Sequence, residues 1–383
     1  MTMLGARGLV EKCVKSFINT IEYSLVLAIE GVRRTIYLLD RRSFDQSRRI
    51  LNIERGHAAQ GGTKFVIFVI YTDGPLAGFL KPAFEGFSAA GYDIIAVLNK
   101  PCDASTHEYL RERTRLIIHR SNVGRDFGAY KDAISVLLSR LGVPERLIIA
   151  NDSVFYLGGG LSDLIENLSG DDDFIGVSEV FDDQYHVGSY LLSFSRAAVA
   201  SNAFQQFWEQ YKPVSTRWWA ILEGECGLTA ALIKAGFAPR ILFKAQDLRE
   251  HLHASSSEAF MDLVQLLPRQ SRIEIADEIH KVLRALEARN EKSLVDPASP
   301  IIEAISASNQ MHAGGFFFRR YLKLPIIKRD IIFRDLYDLE EVRRALSDLP
   351  GNVLDEIIDD LSKRGSGKAL SFWKRLLYRH GAI

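Results

Sequence analysis

Residues 65–71 read Phe-Val-Ile-Phe-Val-Ile-Tyr, a run of β-branched and aromatic side chains broken only at Thr72-Asp73-Gly74-Pro75. A strand that is apolar on both faces must be covered on both, which is the situation of a central strand in a sheet with helices above and below. Working outward, Tyr92–Leu98 (YDIIAVL), Leu116–His119 and Leu147–Ala150 (LIIA) repeat the pattern. Helical stretches lie between them around Pro82–Ala90 and Phe127–Arg140, the second with Phe127, Tyr130, Ile134 and Leu137 on one face. Strands and helices alternating at this spacing predict an α/β fold, a mostly parallel sheet flanked by helices and built from βαβ units. Phe174–Val180, Ser189–Phe194 and Arg240–Phe243 are further strand expectations, with helices around Phe204–Tyr211 and Cys226–Ala235.

The flanks differ in character. From residue 8 to about 40, Val10, Val14, Phe17, Ile21, Leu25, Ala28, Val32 and Ile36 recur in steps of three and four, which predicts a long helix. Glu22, Glu30, Arg33 and Arg34 exclude it as a membrane span. Residues 41–63 are polar and Arg-rich and read as a linker ending in Gln60-Gly61-Gly62-Thr63. Residues 248–300 read as helical and polar; aromatic and basic residues return from Gln310, and an amphipathic segment at Leu370–Tyr378 closes the chain. This divides the sequence into an N-terminal helical extension and linker (1–63), an α/β domain (64–245), a helical segment with a late contribution to the site (246–336) and a helical basic tail (337–383).

Composition excludes more than it suggests. The 48 Lys and Arg balance 48 Asp and Glu, so there is no basic excess of the kind that coats nucleic acid. The three cysteines, Cys13, Cys102 and Cys226, are too far apart for a disulfide framework or a metal knuckle. No uncharged apolar run approaches the roughly 20 residues that span a bilayer, and no signal-peptide succession opens the sequence. A cytoplasmic protein is the expectation, with any membrane contact peripheral, and the basic-aromatic tail is the segment suited to that contact.

Ligands of open α/β sheets bind beyond the carboxyl ends of the strands. The strands here are followed by Thr72-Asp73-Gly74, Asn99-Lys100, Ser121-Asn122-Val123-Gly124-Arg125-Asp126 and Asn151-Asp152-Ser153. That convergence of Asp, Asn, Arg and Lys suits a nucleotide or another phosphorylated ligand. Turn chemistry alone also favours such residues. Asn122, Gly124, Arg125 and Asp126 enter a helix directly, so backbone N–H groups and a guanidinium can meet a phosphate there. No GxGxxG and no GxxxxGK[ST] occurs, which disfavours dinucleotide oxidoreductases and P-loop NTPases. Asp152 offers one carboxylate to a divalent cation, few for a protein-bound metal. Glu225, with Glu223 nearby, follows the aromatic pair Trp218-Trp219 that can stack on a sugar, and is the candidate general base. Cys226 has no basic neighbour in sequence and reads as a packed thiol. His312 precedes a Gly-Gly step and is expected to be exposed, able to close over a site as a metal ligand or a cation.

Taken in order, NVGRDFGAYKDAI (122–134), LIIANDSVF (147–155), HVGSYLLSFSR (186–196) and ECGLTAALIKAGF (225–237) resemble the rhamnan synthesis F family of bacterial glycosyltransferases. NQMH (309–312) and LPIIKRDIIFRD (324–335) look like the family's later elements, so the resemblance covers roughly 64–245 and 305–336. It implies a GT-A-like, Rossmann-like fold and transfer of a sugar, rhamnose or another deoxyhexose, from a nucleotide-diphosphate donor to a surface polysaccharide or lipid-linked glycan. Inversion is the family-level lean. It further implies that Asn122, Gly124, Arg125 and Asp126 bind the donor and that Lys328 helps neutralise the leaving diphosphate; the strand-end reading adds Asp73, Asn99, Asn151 and Ser153 as donor-binding candidates. Trp218 and Trp219 would meet the acceptor, with Glu225 and Asp152 catalytic. Asn151-Asp152-Ser153 stands where GT-A enzymes carry Asp-x-Asp, and the Asn and Ser leave use of Mg²⁺ or Mn²⁺ by Asp152 and His312 open. The alternative is a non-catalytic glycan- or nucleotide-sugar-binding scaffold of a polysaccharide assembly complex; a nucleotidyltransferase on a similar sheet is a third reading.

Overall fold

Along the strand at Lys64–Ile70, Val66, Phe68 and Ile70 enter one apolar core while Phe65, Ile67 and Val69 enter another, and none is exposed. That two-sided burial is what the uninterrupted apolar run demands, and it makes this strand the centre of the molecule. The computed structural model describes residues 20–29, 31, 32, 35, 46–58, 61–72, 74–181, 184–288 and 296–379. Its strands are β1 (Ile50–Arg55), β2 (Lys64–Ile70), β3 (Asp93–Leu98), β4 (Leu116–Arg120), β5 (Arg146–Asn151), β6 (Val154–Tyr156), β7 (Phe174–Gly176), β8 (Glu179–Val180), β9 (His186–Val187), β10 (Leu191–Ser195), β11 (Pro239–Ile241) and β12 (Ile326–Lys328).

The main sheet has eight strands in the order β1-β4-β3-β2-β5-β10-β7-β11. β4, β3, β2 and β5 are mutually parallel, as is β7 with β11; β10 runs antiparallel between β5 and β7, and β1 runs antiparallel along the outer edge of β4. Helices Lys81–Ala89 and Leu161–Leu168 cover the larger core, and Arg125–Arg140 covers the smaller one. The protein is therefore α/β, with a mostly parallel sheet flanked by helices. The larger core draws side chains from Val66 through Ile301 to Leu361, so the helices after residue 246 pack on the sheet itself.

Several elements depart from the sequence reading. Ile50–Arg55 is a strand inside the stretch expected to be a linker; it alternates little because an edge strand is half solvated. Phe174–Val180 breaks after Gly176 into two short strands, and β6 and β12 form a separate antiparallel pair that joins residues 154–156 to 326–328. Of the long N-terminal helix, residues 20–29 are helical; most of the rest lies outside the described residues.

Behind the strand ends sits a buried charge cluster. Asp132, on Arg125–Arg140, accepts from Arg49 (Nη2 at 2.7 Å) and from Arg120 Nε at 3.0 Å, and all three side chains are essentially without exposure. Arg120 also donates to Asn99 Oδ1 at 2.6 Å and to the Val123 carbonyl at 2.6 Å. Removing the carboxylate takes an ionic partner from two buried guanidiniums. Asp132→Asn is expected to lower stability by about 3–5 kcal/mol, the range for breaking a buried pair; urea unfolding followed by circular dichroism measures it.

Candidate functional site

The loop after β4 is held from both ends. Arg120 binds the Val123 carbonyl, Gly124 N–H donates to Ser215 Oγ at 2.9 Å, and Arg125 Nε donates to the Ser215 carbonyl at 3.1 Å. Gly124 has φ +76°, and a Cβ there would stand 2.4 Å from Pro213 Cβ, so both conformation and space require glycine. Arg125 follows with φ 52°, a conformation costly for a side-chain-bearing residue and held here by its neighbours. The outcome is that Arg125 and Asp126 face a cavity of about 660 Å³, a size suited to a small-molecule ligand.

At the end of β5, the Asn151 amide links the two loops. Its Nδ2 donates to Asp126 Oδ2 at 3.0 Å, and its Oδ1 accepts from the Ser153 N–H (3.0 Å) and hydroxyl (2.6 Å). Lys328, delivered by the β6–β12 pairing, reaches Ser153 Oγ at 3.4 Å and lies 4.3 Å from the Tyr190 ring centre. On the opposite wall, Ala220–Cys226 forms a π-helical turn, the wide helix that recurs at functional sites. Gly224 allows it: a Cβ there would meet the Phe127 ring at 2.9 Å. The wide turn directs Glu225 into the cavity, where Oε1 accepts from the Ser189 N–H (3.1 Å) and hydroxyl (2.5 Å) and Oε2 lies 3.5 Å from His186 Nε2.

The cavity carries charge of both signs. Arg125, Arg217, Lys328 and Arg334 line the cavity with the acids Asp126, Glu225 and Asp330. Burial lowers the Lys328 and Arg217 pKa values, with nearby Asp330 and Glu225 working against it. Burial also pulls His312 down to about 4 despite Asp330, so at neutral pH its imidazole is uncharged and its Nε2, 2.8 Å from Asp330 Oδ1, serves as the donor. Asp330 lies well below the usual carboxylate range: burial opposes its ionisation, but His312, Arg334 and Lys328 outweigh it.

Of the residues singled out in the sequence, Arg125, Asp126, Asn151, Ser153, Trp218, Glu225, His312 and Lys328 line one cavity. Asn99, Asn122, Gly124, Asp152 and Trp219 do not. Asn99 is buried on Arg120, Asn122 is exposed, Gly124 shapes the loop, and the Trp219 indole donates to the Lys212 carbonyl at 2.9 Å. Asp73 lies outside the described residues. His312 is not the exposed group expected: it sits in the first turn of Gln310–Leu322, capped by Asn309, with its side chain 12% exposed. Cys226 does have a basic neighbour, His186 Nδ1 at 3.5 Å from its Sγ. His186, Tyr190, Arg217, Asp330 and Arg334 are site residues that the site expectations omitted, although all but Arg217 fall within quoted motif stretches.

The residues expected to hold Mg²⁺ or Mn²⁺, Asp152 and His312, each have a protein partner. Asp152 is the only carboxylate of its triplet; its Oδ2 accepts from the Tyr71 N–H at 3.1 Å and lies 3.4 Å from Arg329 Nη1. Arg329 in turn is held by Asp360. Asn151 spends its amide on Asp126 and Ser153, and His312 faces Asp330. Asp152 is thus an anchor for the β5–β6 turn, its charge already met by a guanidinium.

Burial and the charge of Asp152 push Asp126 up to about 6, against Arg125 and Lys328. Between the unfolded value near 3.9 and about 6 the folded chain binds the extra proton, so this group's contribution to stability falls as pH rises through that window. Asp126→Asn is therefore expected to be more stable than the parent at pH 7, by the order of 1–3 kcal/mol, with the gap closing below about pH 4. Thermal melts across pH 3.5–8 measure it, and a constant gap at every pH would refute it.

Comparison with known proteins agrees with the motif reading over the middle of the chain. Residues 94–270 match the family model described as rhamnan synthesis protein F. The match includes neither β2 nor the 305–336 stretch, which the sequence resemblance had taken in. An uncharacterized protein of Sinorhizobium fredii, y4gN, is 28% identical over 187 residues, covering 48% of this chain and 49% of that protein, so the alignment spans about half of each. Among solved structures, a candidate nucleotide-diphospho-sugar transferase from Desulfovibrio desulfuricans G20 aligns with 48% of this chain and 80% of its own at 9% identity, with a TM-score of 0.31. The 4-diphosphocytidyl-2C-methyl-D-erythritol synthase of Anaerococcus prevotii aligns with 47% and 86% at 10% identity, with a TM-score of 0.30. Over residues 94–270, which supply the Arg125, Asp126, Asn151 and Glu225 walls of the cavity, the chain matches the rhamnan synthesis protein F family.

Proposed function

We propose that the protein is a glycosyltransferase that moves a sugar, rhamnose or another deoxyhexose, from a nucleotide-diphosphate donor to a hydroxyl of a bacterial surface polysaccharide or lipid-linked glycan. The observation that carries the reading is the cavity itself: a carboxylate, Glu225, held ready by Ser189 within Coulombic reach of Lys328, Arg217 and Arg334. Sugar transfer needs a base at the acceptor hydroxyl and positive charge where the nucleoside diphosphate departs. The family description supports the glycan class.

In this reading Arg125, Lys328 and Arg334 receive the diphosphate, while Asn151 and Ser153 orient the sugar beside Asp126. Trp218 supplies an aromatic face to the acceptor sugar. Glu225 takes the proton as the hydroxyl oxygen attacks the anomeric carbon, and the bond to the diphosphate breaks in the same displacement, giving inversion. The fixed cations do the work that a divalent ion does elsewhere, so donor binding is independent of Mg²⁺ and Mn²⁺. The tail helix Phe372–Arg379 packs at the mouth through Tyr378, which meets Phe333 at 4.8 Å, and leaves Lys374, Arg375 and the 60%-exposed Trp373 outward. Those residues suit peripheral contact with an anionic membrane carrying the acceptor.

A panel of nucleotide sugars with isolated lipid-linked glycans, read by nucleoside diphosphate release, tests the activity; release of pyrophosphate instead would assign nucleotidyl transfer. Glu225→Gln keeps the Ser189 contacts and removes the base, so kcat is expected to fall by about 10²–10⁴ with donor affinity little changed. Lys328→Met is expected to weaken the donor by calorimetry, in Mn²⁺ and in chelator alike. Full turnover by Glu225→Gln removes the base assignment.

A further inference from the structure

The outer edge of the sheet carries a second cluster, three strands from β5 and independent of the reading above. Ile53 on β1 and Ile118 on β4 are register partners that turn into the smaller core. Their neighbours Glu54 and His119 therefore turn to the opposite face. Helix Ala104–Arg113 covers that face, with Leu110 in the larger core, and Asp103 caps the helix by accepting from the Thr106 N–H at 2.7 Å. The cap fixes the first turn, and with it His107. Nε2 of His107 lies 2.8 Å from Glu54 Oε2, and Nε2 of His119 lies 2.7 Å from Glu54 Oε1. Among the described residues this is the one group of three or more His, Cys, Asp or Glu whose ligand atoms all lie within 4.8 Å of one another.

Three features set the cluster apart from a simple hydrogen-bonded histidine. Both carboxylate oxygens are engaged, each by the same nitrogen of a different imidazole. His119 Nε2 is shut off from solvent and, despite its closeness to Glu54, makes no hydrogen bond of acceptable geometry. A buried imidazole nitrogen without such a bond is costly, and a metal ion on its lone pair removes the cost. The carboxylate is also steadied from behind: Asn52 Nδ2 donates to Glu54 Oε1 at 3.1 Å, the kind of outer contact that orients a ligating group. Burial works to raise the Glu54 pKa, but the two imidazoles outweigh it and hold the carboxyl below its ordinary value.

We propose that Glu54, His107 and His119 bind one divalent transition-metal ion of the zinc class, with water completing the coordination. Two imidazoles and a carboxylate suit zinc and its neighbours; calcium and magnesium prefer sets made of oxygen alone. Ligand atoms on bonds of about 2.0–2.1 Å in a tetrahedron stand about 3.3 Å apart, so each imidazole nitrogen, 2.7–2.8 Å from a Glu54 oxygen, would retreat from it by about half an ångström. The ligands come from β1, β4 and the helix between β3 and β4, and the ion would clasp the edge strand β1 to the sheet.

The test uses the full chain, stripped with chelator and titrated with Zn²⁺ against a chromophoric competitor. One equivalent is expected per chain, with a rise in Tm on loading. Asn52→Ala should weaken binding about tenfold, and His107→Ala with His119→Ala by well over 100-fold, with the melting of the chelated protein little changed. If the double variant fails to fold, Co²⁺ added to the parent provides the second measurement: intense visible bands of a tetrahedral nitrogen–oxygen site, abolished by Zn²⁺, are expected. Substoichiometric binding, binding unaltered in a folded double variant, or equal affinity for Mg²⁺ or Ca²⁺ would overturn the proposal.

Discussion

Asp132 sits out of water between two guanidiniums, and the positions of three elements depend on it. Arg49 brings the start of β1, Arg120 brings the end of β4, and Asp132 itself belongs to the helix that begins at the cavity. Buried ion pairs repay little of what their groups lose on leaving water, so the arrangement is a weak source of net stability. What it supplies is position. Arg120 has its remaining donors on Asn99 and on the Val123 carbonyl, so the charge cluster and the loop that presents Arg125 and Asp126 cannot move independently. Burial works to lower the Arg120 pKa and Asp132 offsets it, so the guanidinium that anchors the loop depends directly on the carboxylate.

The neutral total of the chain conceals this sorting. Acids and bases cancel in sum, yet the cavity gathers four cations around three acids drawn from residues more than 200 positions apart. The same physics that makes the site costly makes it useful. Burial lowers the Lys328 pKa, and Asp330 and Glu225 work against that loss. Asp126, pushed the other way, holds a proton at mildly acidic pH that a solvated carboxylate would have lost.

What the sequence disclosed follows from how local each signal is. β2, β3, β4 and β5 were legible because burial on both faces leaves a continuous apolar run, and the helices between them because their period is 3.6. β1 was not, since a half-solvated edge strand written Ile-Leu-Asn-Ile-Glu-Arg resembles a polar linker. The β6–β12 pair was invisible for another reason: its partners are separated by some 170 residues, and neither three-residue strand carries a pattern. Among the residues lining the cavity, Arg125, Asp126 and Asn151 stand out in the sequence because they end a strand or open a helix, and Glu225 because it follows the Trp218-Trp219 pair, although the structure places it inside a helical run from Arg217 to Lys234. That Asp152 lies beside Arg329 and off the cavity lining was not legible, because a carboxylate at a strand end reads alike in sequence whatever it faces. Arg217 and Arg334 were missed because arginines at polar positions look solvated until tertiary structure buries them.

That distinction bears on which parts of the chain a working site needs. Residues 94–270 contain the Arg125–Asp126 loop, the Asn151–Ser153 turn and the Glu225 wall, but of the four cations lining the cavity they contain only Arg125 and Arg217. Lys328 and Arg334 arrive on the segment after residue 310, and what seats that segment is the pairing of β12 with β6 together with Arg329 on Asp152 and on Asp360 of the helix Gly351–Arg364. Asp152, the carboxylate in the position where a metal ligand was expected, thus helps place the two cations. The strand-end aspartate thereby links the β5–β6 turn to the segment that carries Lys328 and Arg334.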